Sequence, residues 1–324
     1  MGANWLARYN EGARCEVWRE MVDLGAAIRE PRYLPAAEAV ARETMRRARH
    51  NVELLLTRLD RFGYCFWSAE DSLREQQLEM EQCLRLAEEL RALHRGGEGG
   101  PLTRLREQPA LNGRIPVTKK GTGGPLENPE VWTRPNRETA QVLDRFEGTI
   151  GGPLPLSLRI WCEEVGAVSL MGRHPVVCHR AGSGAIEISD AVLTRTGARF
   201  VNRNGGARRD PPLSDPLVVT PYFGEWEEMA EVCMDAEDDG EPERLEEMSL
   251  APDRYHKANY SGGEPYGMRV PDAAVDGVFT DANGLLFVDY LRLAFRWGGF
   301  PGWANYPDRP QLELNYLAED LLPI

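Results

Sequence analysis

Apolar residues in the first third of the chain recur at steps of three and four. Over residues 36–62 they are Ala37, Ala41, Met45, Ala48, Val52, Leu55, Leu59 and Phe62, a single stripe that predicts one long amphipathic helix. Gly63 breaks the pattern. Ser68, with Asp71 three residues on, then has the form of a capping box, and Leu73, Gln77, Met80, Leu84, Ala87 and Leu90 share one face until the glycines at 96 and 97. These two segments predict an antiparallel helical hairpin. A third helix is expected in residues 3–28, where Trp5, Tyr9, Val17, Trp18, Met21, Val22 and Ala26 supply apolar positions and Pro31 and Pro35 separate it from the long helix. Three helices close a small core that two cannot, so residues 1–95 are expected to form a helical bundle.

Residues 96–135 are dense in Gly and Pro and carry no sustained period, which marks a linker or a long packed loop, with IPVTKKG able to pair as an edge strand. From 136 the pattern changes. NRETAQVLDRFEGTIG predicts a helix ending near Gly151, with Ala140, Leu143 and Phe146 inward. A second helix follows Pro153 and Pro155, with Ser157 as its cap and Ile160, Trp161, Val165 and Val168 as its apolar groups. PVVCHR, AIEISD and PLVVTPYF predict strands, and YGMRVP is a further short apolar run. VDYLRLAFRW predicts a closing helix stopped by Gly298 and Gly299. Residues 136–324 therefore read as an α+β domain, and no internal repeat is visible.

The segment from Leu143 to Trp161 carries a resemblance. An amphipathic helix is followed by Gly151 and Gly152, then Leu154 and Pro155, then Leu158, Arg159 and Trp161, with Gly166 in the later glycine region. This resembles the entry motif of the SUKH superfamily, which contains bacterial toxin-immunity proteins and a fungal regulator of cell-wall synthesis. The glycines permit a tight reversal, Leu154 can plug the core, Pro155 sets the chain direction and Trp161 packs from the second helix. The resemblance covers residues 136–300. It implies a mixed sheet flanked by helices and a binding module without a family-wide catalytic set; the helical first third has no counterpart in it.

Composition bounds the rest. The chain has 324 residues, of which 42% are hydrophobic, with eight Trp, ten Tyr and nine Phe, enough for a sizeable core. No stretch approaches the length a membrane-spanning helix needs, and the first residues alternate charge with apolar groups, unlike a secretory signal. A cytoplasmic location is the expectation. Six cysteines without a CxxC pair then read as free thiols. The net charge is −13, and residues 225–247 hold twelve acidic groups against the single Arg244, a local charge of −11. Such a field disfavours a nucleic-acid backbone and favours a basic partner.

Catalytic constellations are weak. Cys178 beside His179, with His174 near and Asp253, His256 and Lys257 later, has no recognised spacing for a nucleophile or a metal-dependent hydrolase. Arg199, Arg203, Arg208 and Arg209 lie in a Gly-rich stretch without a phosphate-loop pattern. No cofactor or metal is expected. Binding chemistry is better supplied. Trp226 sits beside Glu227 and Glu228, with Asp235, Asp238 and Asp239 downstream. His256, Tyr260 and Tyr266 fall on a Gly-set polar stretch, and Trp297, Phe300 and Trp303 in RWGGFPGW are either interface anchors or core closers. These residues are the candidate protein-binding set. The expectation is recognition of a protein, most specifically neutralisation of a basic cognate toxin; a regulatory scaffold, a metal-dependent hydrolase and a homo-oligomer are the alternatives.

Overall fold

In a computed structural model the described residues are 4–66, 124–174, 177, 216–221, 247–251, 266–280, 284–305 and 310–324. The long apolar stripe forms α3, Leu34–Arg61, with Ala37, Ala41, Met45, Ala48, Val52, Leu55 and Leu59 all inaccessible to solvent. Ahead of it, the single helix expected over 3–28 is divided. Helix α1 (Trp5–Asn10) ends before Gly12, whose φ of 114° no helix accommodates, and α2 (Arg14–Val22) starts afresh, followed by a 3₁₀ turn at Gly25–Arg29. The expected second arm of the hairpin lies outside the described residues.

The predicted turn between two helices is present. Helix α4 (Thr139–Thr149) stops at a reversal through Gly151, with φ 74°, and α5 (Leu156–Glu164) follows Pro155. Leu154 and Trp161 are fully buried. The cap is a correction: Ser157 does not cap α5. The first amides of that helix are satisfied instead by the loop at 274–275, Leu156 N–H donating to the Ala274 carbonyl (3.1 Å) and Ser157 N–H to that of Val275 (2.8 Å). The Ser157 hydroxyl is directed to Asp276.

A three-stranded sheet forms from β2 (Trp132–Thr133), β3 (Ala167–Ser169) and β5 (Val218–Val219) in the order β2-β3-β5. Val168 faces Trp132 on one side and Val219 on the other. Two further ladders pair β1 (Cys65–Phe66) with β4 (Gly172–Arg173), and β6 (Glu247–Ala251) with β7 (Tyr266–Arg269). Where a mixed sheet was expected, every strand pairing among the described residues is antiparallel. Of the predicted strands PVVCHR and AIEISD, only Val177 is described. Helix α6 (Phe287–Arg296) matches the predicted closing helix and ends at Gly298 and Gly299, both with positive φ; α7 (Gln311–Ala318) follows. The architecture is α+β.

Residues 4–66 share one hydrophobic core with the described residues after 124. Helix α3 packs along α5, and Arg42 of α3 pairs with Glu163 (2.7 Å) and Glu164 (3.0 Å) at the end of α5. Trp18, Tyr9, Met21 and Ile28 from the first elements are buried in the same cluster as Trp161, Phe146, Phe287 and Tyr290. Each such side chain contributes about 1.5–3 kcal/mol on burial. The expected division of the chain near residues 95 and 135 falls partly on residues 67–123, outside those described.

Candidate functional site

Of the candidate binding residues, Trp226, Glu227, Glu228, Asp235, Asp238, Asp239, His256 and Tyr260 lie outside the described residues, as do Cys178, His179, Asp253, Lys257 and the arginines at 199–209. The others are placed. Tyr266 is buried on β7, Phe300 is buried with its ring centroid 5.8 Å from that of Tyr64, and Trp303 is buried with its indole N–H on the Val177 carbonyl (2.7 Å). These three pack the core and are not displayed. Trp297, the residue that ends α6, is half-buried. His174 stacks on Phe62 at 4.2 Å, and burial holds its imidazole below the ordinary range. Cys162 is sealed, and burial pushes its thiol up to about 12, so it is an inert core group. Among the described residues no three His, Cys, Asp or Glu side chains gather as a metal site, and no helix is long and apolar enough to cross a membrane.

An exposed surface that the apolar periodicity did not reveal lies at α7. Its inward residues are Leu314 and Leu317, and the helix sits close because residue 298 is glycine: a Cβ there would stand 2.6 Å from the Leu317 Cβ. Its outward residues are Leu312, 81% exposed, and Tyr316 one turn later, 39% exposed. Tyr316 is fixed from beneath by the Phe62 ring at 6.2 Å and the Arg58 guanidinium at 5.9 Å. Arg58 in turn donates to the carbonyls of Leu317 and Glu319, closing the C-terminal end of α7. Asn315, Tyr316, Ala318 and Glu319 line an open, shallow cleft.

Beyond α7 the chain turns at Asp320, in the left-handed region at φ 54°, into a strap over α3. Asn51 holds it by both sides of one residue: its amide donates to the Leu322 carbonyl (2.9 Å) and its carbonyl accepts the Leu322 N–H (2.7 Å). Leu322 remains 38% exposed, a third exposed apolar side chain in this C-terminal segment after Leu312 and Tyr316. Of the acids in the same segment, Glu319 and Asp320 are exposed, and Asp320 pairs with Arg58 (3.7 Å). The signal was present in QLELNYLA, whose four large apolar residues are too many for one inward face of a two-turn helix.

One buried acid stands apart from this surface. Asp276 accepts hydrogen bonds from the Trp18 indole (2.8 Å), the Ser157 hydroxyl (2.6 Å) and the Val288 amide at the start of α6 (3.3 Å). Burial pushes its carboxyl up to about 6, against these three donors, which favour the charged form. It is only 3% exposed, so it joins α2, α5 and α6 instead of meeting a substrate. Comparison of the chain with protein-family models, with curated proteins and with solved structures finds no match.

Proposed function

We propose that the chain is a non-catalytic protein-binding module whose partner is a basic protein, most specifically a cognate toxin that it neutralises. The observation that carries this reading is the outward side of α7 and the strap after it: three of the five exposed large apolar side chains among the described residues are Leu312, Tyr316 and Leu322, in a segment that also exposes Glu319 and Asp320. Exposed apolar side chains of this kind can serve as desolvated anchors, and acids of the same segment favour a basic partner. Two features support the reading. Residues 225–247 add a local charge of −11 that attracts a basic partner over a Debye length. The sequence resemblance to the SUKH superfamily rests on the helix, the glycine reversal, Leu154, Pro155 and Trp161, of which Leu154 and Trp161 are buried.

Affinity capture on the tagged full chain at low salt, followed by co-expression with the captured protein, tests the proposal. One near-stoichiometric basic protein is expected, with retention that falls as salt rises, and with toxicity that the chain suppresses. The pair Leu312→Ser and Tyr316→Ala is expected to weaken capture at least about tenfold, the scale of one interface anchor. A partner whose expression is harmless would replace neutralisation by a scaffolding role. Absence of any partner at low salt, or unchanged capture by the double variant, would overturn the reading of this face.

A further inference from the structure

One loop gathers the starts of two helices. Residues 272–277 supply main-chain acceptors to both: Leu156 and Ser157 of α5 donate to the Ala274 and Val275 carbonyls, and Phe287, the first residue of α6, donates to the Gly277 carbonyl (2.9 Å). Asp272 braces the loop, its amide donating to the Pro153 carbonyl (2.8 Å) and its carboxylate accepting the Ala274 N–H (2.9 Å). Neither helix start is closed by a cap side chain of its own. Asp276 of the loop reaches both, through the Ser157 hydroxyl on α5 and the Val288 amide on α6, and its bond from Trp18 brings in α2.

The two carboxyl oxygens meet different partners. Oδ2 accepts from two groups that can only donate, the Trp18 indole N–H (2.8 Å) and the Val288 amide (3.3 Å), whereas Oδ1 meets the Ser157 hydroxyl (2.6 Å). A hydroxyl either donates or accepts, because its hydrogen turns about the Cβ–Oγ bond. Oδ1 is therefore where a proton can be added with every contact kept. The ionised carboxylate accepts from Ser157; a proton taken from solvent water onto Oδ1 donates to Ser157 Oγ, while Ser157 keeps its own hydrogen and Oδ2 keeps both donors. The charged neighbour acting on Asp276 is Asp289 of α6, which, like burial, favours the neutral form. From α2 and α5 it meets Trp18 and Ser157, which carry no charge.

We propose that Asp276 and Ser157 form a two-state proton switch at the joint of α2, α5 and α6, in which Ser157 donates to the ionised carboxylate and accepts from the neutral carboxyl. Ionised, the joint holds Trp18 and Val288 by charge-assisted bonds; neutral, it holds them by weaker ones and sheds the cost of a buried charge. The folded chain thus changes the charge of its core as its surroundings acidify, without opening. This proposal is independent of the protein-binding reading, because its readout requires no partner.

The test has two readouts on the full chain. In infrared difference spectra of the parent against Asp276→Asn, the carbonyl band of a neutral carboxyl is expected to grow as pH falls through about 6, with the far-ultraviolet circular dichroism unchanged. Urea denaturation of Ser157→Ala at pH 4 and pH 7 then reads the two directions of the Ser157 bond. At pH 7 the variant leaves the carboxylate one donor short, and at pH 4 it leaves a buried O–H without its acceptor. The urea midpoint is expected to fall below that of the parent at both, by roughly 0.3 M, the scale of one buried hydrogen bond. Should Ser157→Ala fail to fold, Ser157→Cys, a weak donor and a weak acceptor, gives the same comparison. A midpoint lowered at only one of the two pH values, or at neither, overturns the switch. So does a missing infrared band, or one that grows only as the helical signal is lost.

Discussion

Burial makes the protonation of Asp276 matter to the fold. Its carboxyl lies at about 6 when folded, above its ordinary value of 3.8, with burial as the main cause and nearby Asp289 adding repulsion. A folded value raised above the unfolded one means that the native state takes up the proton more readily. The contribution to stability is therefore complete below about pH 3.8 and is lost as pH rises through about 6. Holding the carboxyl that far above its ordinary value makes its ionised form costly at neutral pH by about 3 kcal/mol, despite its three donors. Asp276→Asn keeps the shape and an acceptor for Trp18, offers an N–H to the Ser157 hydroxyl, and does not titrate. Urea denaturation of both proteins from pH 4 to 7 is expected to show the variant gaining on the parent as pH rises. A stability difference that is flat with pH would remove the raised carboxyl from the account.

At the scale of elements, the part most legible in the sequence is the α4–turn–α5 unit, because Gly and Pro act locally. Gly166, just after α5, shows how tight the local requirement is: its φ is 95°, and an added Cβ would stand 2.1 Å from the Thr133 carbonyl oxygen and 3.1 Å from the Pro135 ring. Gly166→Ala combines backbone strain with a clash against main chain, and is expected to cost about 2–4 kcal/mol, measured as a shift in the urea midpoint at constant slope. A cost below about 1 kcal/mol would mean that β2 moves aside freely. The stripe of α3 was legible for the same local reason, a sustained 3.6-residue period. Ser157 was not, since the partner that takes its hydroxyl is Asp276, far along the chain, and a capping pattern carries no information about such a contact. Phe300 and Trp303 read as core closers more readily than as anchors, and tertiary packing made them core. The outward face of α7 was missed because Leu314 and Leu317 already satisfy the inward period, which hides Leu312 and Tyr316 in an apolar run.

At the scale of the molecule, polar contacts from the first sixty-six residues reach α5, α7, the strap after α7 and the loops at 154 and 273–276. Trp18 bonds Asp276, Arg29 bonds the carbonyls of Leu154 and Ala273, Arg42 pairs with Glu163 and Glu164, Asn51 holds Leu322 and Arg58 holds Leu317. An amphipathic period reveals that a face is buried but not what buries it, so it carried no sign that residues 4–66 share a core with described residues after 124. If α1 to α3 opened alone, the buried carboxylate of Asp276 would lose its indole donor and the apolar face of α5 would be bared. Separate unfolding of these helices is thus disfavoured, and the described residues are expected to open as one unit. Hydrogen exchange in increasing urea should give α3 and α6 the same opening free energy within about 1 kcal/mol. Trp18→Phe, which removes a hydrogen bond to a buried charge, should lower both by about 1.5–3 kcal/mol. A lower opening energy for α3 than for α6 would instead divide the chain into two cooperative units, and in Trp18→Phe the gap between them would widen because α2 would no longer be tied to the start of α6.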